Sequence, residues 1–412
     1  MFEDSPEFKF RKANDFSPTK VTLAEIHAAV PKHLFRKNSL KAFLHISRDV
    51  ICALALYQLA LQIEPFSAAF VNHYETTQSV GTIIKWAGWA GYWVCQSIVL
   101  AGWWCMAHEA GHGNVSEYKW VNHVVGFLLH TFVLSPYFAW RASHHSHHKA
   151  AASIERDENY VPKTRSDFKL PPESVAIPTD YHEIFEETPI YTVVRMLVMQ
   201  LLGWQIYLFT DISGSPRHPN GTNHFNPSSS LFKPHERRGI VVSNIGLISM
   251  SCLLFIWAQN IGVSAFFKLY LVPYILVNHW VVMLTFLHHS DPTVPMYRNR
   301  QWSFLRGALS TVDRPLLGWA GRVFLHNASH DHIAHHLFSN IPWYNQPYVT
   351  QILKELLGND YNHDTTNTFY ALYRSFTRCC FVEDQGEIVF YKDKNGKAAR
   401  VLAPNALDYP TS

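Results

Sequence analysis

Three clusters of histidine constrain the fold of this chain more than any other feature of its sequence. The spacings inside the clusters are i, i+3 and i, i+4, which place the imidazoles on one face of a helix. Neutral imidazole is a ligand for iron, zinc and copper. We therefore predict a metal site at these clusters. Its eight regularly spaced ligands are His108, His112, His144, His147, His148, His332, His335 and His336.

The number of imidazoles indicates two metal ions rather than one. A structural zinc site uses four ligands, and zinc has no redox chemistry. Eight imidazoles fit a pair of iron ions that keep open positions for O2 or solvent. His289, at the end of a late apolar segment, is a ninth candidate ligand. Glu109, His145 and Asp331 stand beside ligand positions, and we predict that they orient the ligands.

The composition indicates a membrane protein. Hydrophobic residues make up 48% of the 412 residues and charged residues 16%, whereas about a quarter of a typical soluble domain is charged. The net charge of +3 is too small to indicate a nucleic-acid partner. The first 45 residues are basic and polar, and the positive-inside rule predicts that they are cytosolic.

Apolar segments after this arm define the predicted fold. Clusters that share one metal site lie on one side of a membrane, so an even number of crossings separates them. Segments 121–140 and 190–210 are therefore predicted to lie in the interface, the second because Arg195 is costly inside a bilayer. We predict an all-α integral membrane protein with four transmembrane helices in two hairpins, interfacial helices and a cytosolic helical cap that holds the di-iron site. The crossing segments are about 43–63, 81–106, 239–258 and 263–287.

Local signals complete the predicted organisation. Residues 21–30 are expected to form a short helix with Thr22 as its N-cap. Alternating apolar residues from 387 to 391, followed by Asn395-Gly396, predict a small β-hairpin. The regions are a cytosolic N-terminal arm, a membrane domain with its cap and a cytosolic C-terminal region, at 1–45, 46–350 and 351–412.

The first histidine cluster also permits a different interpretation. His108, Glu109 and His112 fit the HExxH pattern of zinc proteases, in which the glutamate is the general base. Such an enzyme needs only one further ligand, so this hypothesis leaves two histidine clusters without a role. A membrane scaffold that binds metal without catalysis is a third hypothesis.

The residues around the clusters resemble those of a known family. The spacings HxxxH, HxxHH and HxxHH are similar to the histidine boxes of the membrane-bound fatty acid desaturases. Their flanks look like the oleate Δ12 (ω-6) subfamily, with an ending similar to that of the fungal members. The resemblance is strongest over about residues 103–344. The motifs are RDE at 156–158, VP at 161–162, SG at 213–214, HFNP at 224–227, TFLHH at 285–289, WSFLRGALSTVDR at 302–314, AHHLFS at 334–339 and VEDQG at 382–386.

This resemblance has implications for cofactor, substrate and location. It implies a di-iron centre held by the eight spaced histidines and His289, with O2 as co-substrate. It implies electrons from an external cytochrome b5 and its reductase, because the chain carries no Gly-rich dinucleotide motif. The implied substrate is an oleoyl-type chain, on a lipid or on CoA, that receives a double bond. The implied location is the endoplasmic reticulum membrane, with the active site and both termini on the cytosolic side. The resemblance leaves open whether two chains form a homodimer.

Three positions depart from the usual pattern of the subfamily. Ala110 and Gly113 lie in and after the first box, and Asp331 precedes the third. None of these changes removes a ligand. Relatives with the same boxes nevertheless make triple bonds, hydroxyls, epoxides or conjugated dienes. Acetylenase, hydroxylase and conjugase activity on oleate or linoleate therefore stay alternatives to desaturation.

Overall fold

The computed structural model is mostly helical and describes residues 2–409. Two short strands, β1 (Met296–Tyr297) and β2 (Ile388–Val389), are the named strands of this part of the chain. The predicted helical character is therefore confirmed. The helices are α1 Pro6–Ala13, α2 Leu23–Ala29, α3 Ser39–Leu61, α4 Ile63–His73, α5 Gln78–Gly111, α6 Lys119–Phe132, α7 Tyr137–His148, α8 Pro178–Phe185, α9 Pro189–Thr210, α10 Arg237–Ile261, α11 Val263–Phe266, α12 Val272–His289, α13 Phe304–Leu309, α14 Trp319–Phe324, α15 His332–Leu337, α16 Gln346–Leu357 and α17 Thr368–Arg378.

Four helices between residues 2 and 409 are long and apolar enough to cross a membrane. They are Ser39–Leu61, Pro189–Thr210, Arg237–Ile261 and Val263–His289. Three of the four predicted crossing segments lie in these helices, and the fourth member differs. Helix α9 meets the criterion, whereas α5, which contains the predicted span 81–106, does not. Helix α5 is nonetheless 34 residues long, or roughly 50 Å, and so exceeds the thickness of a bilayer core.

The position of Arg195 explains the difference at α9. This arginine lies near the beginning of the helix, pairs with Glu187 and stands over the ring of Phe376 at 5.3 Å. A paired charge near a helix end reaches the interface at little cost. Arg195 alone therefore does not exclude a membrane position for α9.

Helices α6 and α7 form a sharply bent pair over the segment that was predicted to lie in the interface. Their axes meet at 109° across a short break that contains Pro136. Proline removes a backbone donor and ends the helix that precedes it. The bend turns α7, which carries the second histidine cluster, away from the direction of α6.

Helix α5 is the central element of the helical bundle. It packs against α3, α4, α6 and α12, and α12 packs in turn against α9. Polar contacts fix the α5–α12 pair, since Trp280 donates to the hydroxyl of Ser97 at 2.9 Å and Tyr92 donates to the carbonyl of Leu269 at 2.7 Å. This packing brings the ends of α5 and α12, with their histidines, to the same place.

An ionic cluster joins both ends of the chain to the segment after α12. Arg314 lies 2.7 Å from Asp291, and Arg374 lies 2.6 Å from Asp4. Both arginines also contact Asp364. The hydroxyl of Ser5 donates to Asp364 at 2.7 Å. The members, three arginines and three aspartates, are Arg11, Arg314, Arg374, Asp4, Asp291 and Asp364.

The two local predictions had different outcomes. Thr22 caps α2 and forms a capping box with Glu25, as predicted. The predicted C-terminal hairpin forms at Asn395-Gly396, but β2 itself pairs antiparallel with β1, with Met296 opposite Val389. Asn395-Gly396 does form a turn, which brings Lys392 opposite Ala398. The backbone of β2 therefore pairs with β1 and not with the residues that follow Asn395-Gly396.

Candidate metal centre

The four segments that carry the predicted ligands end at one point in the cap. His108 and His112 lie at the carboxyl end of α5, and His289 is the last residue of α12. Helix α7 carries the second cluster, and the short helix α15 carries the third. Rigid helices therefore present all of these imidazoles.

The nine predicted ligands form two neighbouring groups. Within each group the ligand atoms lie within 4.8 Å of one another. His332 joins the second group, because its Nε2 lies 3.0 Å from Nε2 of His289. The ring of His336 stacks on that of His148 at 4.2 Å and so connects the groups. The first group is His108, His112, His144, His148 and His335, and the second is His147, His289 and His336.

Buried ring nitrogens without hydrogen-bond partners indicate whether these groups suit a metal ion. Nε2 of His147, Nε2 of His335 and both ring nitrogens of His336 are buried without a hydrogen-bond partner among residues 2–409. Such atoms are costly unless something satisfies them. In the first group, Nε2 of His144 lies 3.1 Å from that of His112. Metal cations between the rings would satisfy these atoms, and an all-imidazole set suits first-row metal ions.

Burial keeps these imidazoles in the form that binds metal. It lowers the pKa of His108 and that of His335 to about 3. It also lowers the pKa of His112, His144 and His148 well below the ordinary value. A neutral imidazole has a free lone pair, so the cluster is prepared to ligate at neutral pH.

Glu109 and His145 contact the candidate ligands, whereas Asp331 does not. Oε1 of Glu109 lies 3.1 Å from Nδ1 of His108 and 3.6 Å from Nδ1 of His335. His145 stacks on His112, with ring centroids 5.1 Å apart. Asp331 begins α15 and lies 3.5 Å from Arg322, and its buried carboxylate makes no hydrogen bond to any described residue. Its predicted role in orienting a ligand stays a prediction.

Asp157 contacts the candidate metal centre but is not among the residues predicted from the sequence. Oδ1 of this fully buried carboxylate lies 2.7 Å from Nδ1 of His147, and backbone amides of Ala152 and Asn159 donate to the same side chain at 3.0 Å. A carboxylate on the far nitrogen fixes the tautomer and orientation of a ligating imidazole. The only signal in the sequence was its place in the RDE motif.

Replacing Asp157 tests this contact. We expect Asp157→Ala to lower metal content or product formation by about 10–100-fold, because His147 loses the partner that orients it. Elemental analysis of the purified protein and product analysis measure the two effects. The matched control is Glu158→Gln, since Glu158 pairs instead with Arg217 and His218. Equal metal content and product in both variants would contradict the role of Asp157.

An apolar groove leads to the metal centre between α9 and α12. Its volume is about 700 Å³, and it is lined by Val194, Val198, Met199, Val282 and Phe286 among others. A smaller cavity of about 40 Å³ lies at the histidines themselves. Tyr160 and Thr285 line both cavities. The ring of Tyr160 stacks on that of His289 at 4.3 Å, so this pair forms the junction.

Comparison with known proteins identifies the family. A sequence model described as fatty acid desaturase matches residues 87–367. The chain belongs to the fatty acid desaturase family. It is 38% identical over 376 residues to the Δ12 fatty acid desaturase of Mortierella alpina, which covers 90% of each chain.

Two other relatives differ in their named activity. The chain is 35% identical over 378 residues to the omega-6 fatty acid desaturase, endoplasmic reticulum, of Brassica juncea, which covers 90% of this chain and 92% of the relative. It is 31% identical over 409 residues to an oleate hydroxylase of Claviceps purpurea, with 93% and 83% covered. The predicted resemblance to the Δ12 subfamily is confirmed. The zinc protease hypothesis loses its support, because the family match covers the segments that carry all three histidine clusters.

Proposed function

We propose that this desaturase is an O2-dependent membrane enzyme of the Δ12 (ω-6) type that introduces a double bond into an oleoyl-type chain. The observation that carries the proposal is the apolar groove beside the histidine groups, which shares Tyr160 and Thr285 with the cavity at the histidines. A groove of this size and apolar lining suits an acyl chain and excludes water from it. The names of the Mortierella and Brassica relatives support the position of the double bond.

We assign the nine histidines as ligands of two iron ions. Bound iron supplies the O2 activation needed to take hydrogen from an unactivated methylene. The complete reaction consumes one O2, two electrons and two protons, converts a –CH2–CH2– unit to –CH=CH– and releases two molecules of water. An external cytochrome b5 with its reductase is the proposed electron donor. Glu109 and Asp157 hold their imidazoles in place through ring-nitrogen contacts, and His145 does so by stacking on His112.

We place the enzyme in the endoplasmic reticulum membrane with its active site and termini cytosolic. The name of the Brassica relative supports this compartment. All three histidine clusters meet, so an even number of crossings separates α7 from α15. Helices α10 and α12 follow one another across a short turn at Gly262 and account for two crossings as a hairpin. Helix α9 then lies along the interface, where it closes the groove.

Hydroxylation of oleate is the second candidate function, and the Claviceps relative is the observation that favours it. Expression in yeast supplied with oleate distinguishes the two. Gas chromatography with mass spectrometry of the total lipids should detect a new cis double bond and no other new product. A hydroxyl group or a triple bond as the main product would refute the proposal. Analysis of separated phospholipids and acyl-CoA at short times after feeding then identifies the carrier.

A bulky side chain in the groove should block the substrate. A Cβ at Gly203 would lie 3.5 Å from Met199 and from Val282, so alanine fits there. We expect Gly203→Phe to lower product by about tenfold or more, because its ring overpacks the site of the acyl chain. Iron content should stay at two per chain, which separates blockage from loss of the metal. Gly203→Ala is the matched control, and equal product from both variants would place the substrate elsewhere.

A further inference from the structure

A buried histidine–carboxylate pair outside the nine ligands borders the metal centre. His326 is 3% exposed and lines the same small cavity as His108 and His335. Its Nε2 lies 2.7 Å from Oδ2 of Asp49, which is 1% exposed on α3. The reaction at the site gives no obvious reason for a carboxylate to be buried in α3 at this point. The buried pair of His326 and Asp49 therefore needs a functional explanation of its own.

His326 reaches the cavity only because its backbone adopts an unfavourable conformation. His326 and Asn327 both have positive φ, at 51° and 64°, a region that residues with a side chain seldom occupy. Gly102 of α5 allows this chain to approach, because a Cβ there would lie 2.3 Å from the carbonyl oxygen of Phe324. Strained residues of this kind persist where the surrounding structure holds them, and they concentrate at functional sites.

The partner carboxylate is fixed from its other side. Arg48 donates to Oδ1 of Asp49 at 2.7 Å and to the carbonyl of Val323 at 2.6 Å. A carboxylate can only accept, so Nε2 of His326 carries the hydrogen, and Nδ1 of the neutral ring keeps a lone pair. Among residues 2–409, Nδ1 of His326 has no hydrogen-bond partner. A carboxylate behind an imidazole orients it and stabilises the imidazolium that forms when it takes a proton.

The proposed reaction needs a proton source beside the metal centre. Each turnover consumes two protons, and imidazoles that ligate metal cannot supply them from their ligating atoms. Glu109 is held by His108, His335 and Asn114. The titratable and charged groups that face His326 are His45, Arg48 and Asp49 from α3 and Glu109 from α5. The next imidazole is that of half-buried His45, whose ring lies 6.0 Å from that of His326.

We propose that His326, oriented by Asp49, delivers protons to the cavity at the metal centre during turnover. The inference rests on the proposed oxidative function and deepens it. Oxygen reduction supplies the sink for each proton, which leaves from Nδ1 of the His326 imidazolium, and solvent water returns a proton to the same nitrogen. Asp49 is a positioning residue, since it acts only through His326.

The experiment compares His326→Gln and His326→Ala with the unaltered enzyme in yeast membranes and after purification. Glutamine keeps a donor for Asp49 but cannot carry a proton. We expect both variants to retain two irons per chain and to form product at least about 100-fold more slowly, the usual contribution of a general acid. Added imidazoles of graded pKa should restore His326→Ala, with a rate that follows the pKa of the added compound. The control is His182→Ala, at an exposed histidine.

Three results would overturn the inference. They are an unchanged rate in His326→Gln, loss of iron from both His326 variants, and rescue that depends on the shape but not on the pKa of the imidazole. For Asp49, we expect Asp49→Asn to slow the reaction and Asp49→Glu to restore part of the rate with iron retained. An unaltered enzyme that forms no double bond would instead refute the proposed function. Normal product from both the unaltered enzyme and His326→Gln would refute the proton-delivery role alone.

Discussion

Substitution of a single histidine in the third cluster should abolish product formation. We expect His335→Ala and His336→Ala each to lower product at least about 100-fold, since loss of a ligand exceeds the 10–100-fold effect of losing a supporting contact. The two variants should differ in metal content. His336 belongs to the smaller group, with His147, His289 and nearby His332. Its loss should leave about one iron per chain.

Elemental analysis of purified protein measures this difference, and product from oleate-fed yeast measures activity. The matched control is His330→Ala, a buried histidine of the same cluster that belongs to neither group. It should keep two irons and most of the product. Persistent activity in His335→Ala or His336→Ala would refute the ligand assignment. One zinc per unaltered chain in place of iron would refute the oxidative centre altogether.

The composition of the metal centre could be predicted from the sequence because its members carry a strong local signal. Histidine is scarce in ordinary chains, and spacings of three and four residues are visible without a structure. His289 lacked a regular spacing, but its place at the end of a span pointed to the same side of the membrane. The structure brings all nine together. The division into two groups was not predictable, because it depends on how α7 and α15 meet.

Contacts that depend on the path of loops could not be predicted from the sequence. Asp157 reaches His147 across only ten positions, yet nothing in the spacing distinguishes it from Glu155 or Glu158. The groove needs the relative placement of α9 and α12, which are separated by α10. The charge of Arg195 gave only weak grounds for placing α9 in the interface, because the sequence does not reveal its partner, Glu187. The pairing of β2 with β1 was not predicted because it spans about ninety residues.

The ionic cluster is a second set of contacts that could not be predicted from the sequence. Its charges come from positions 4, 11, 291, 314, 364 and 374. Each appears in the sequence as an ordinary surface charge. Together they tie the N-terminal arm and the C-terminal region to the segments that carry His289 and the third histidine cluster. Stability of the cap therefore depends on residues far from the metal in sequence.

Replacement of one carboxylate in this cluster should destabilise the protein strongly. Asp364 is fully buried and contacts both Arg314 and Arg374. We expect Asp364→Asn to lower the free energy of unfolding by about 3–5 kcal/mol, because two buried guanidinium groups lose their shared counter-charge. Denaturant unfolding in detergent measures this change. Limited proteolysis should also cut the arm sooner, since Ser5 donates to Asp364.

The control is Glu186→Gln, which removes an exposed carboxylate from its pair with His182 and should cost about 0–1 kcal/mol. The pH dependence gives a second criterion. Burial raises the pKa of Asp364, but Arg314 and Arg374 outweigh it and hold that pKa below its ordinary value. Such a carboxyl stabilises the fold above its unfolded pKa of about 3.9 and loses that contribution as the pH falls. The difference between the unaltered protein and Asp364→Asn should therefore be constant near neutral pH and shrink below about pH 4. A difference no larger than that of Glu186→Gln at neutral pH would show that the cluster contributes no net stability.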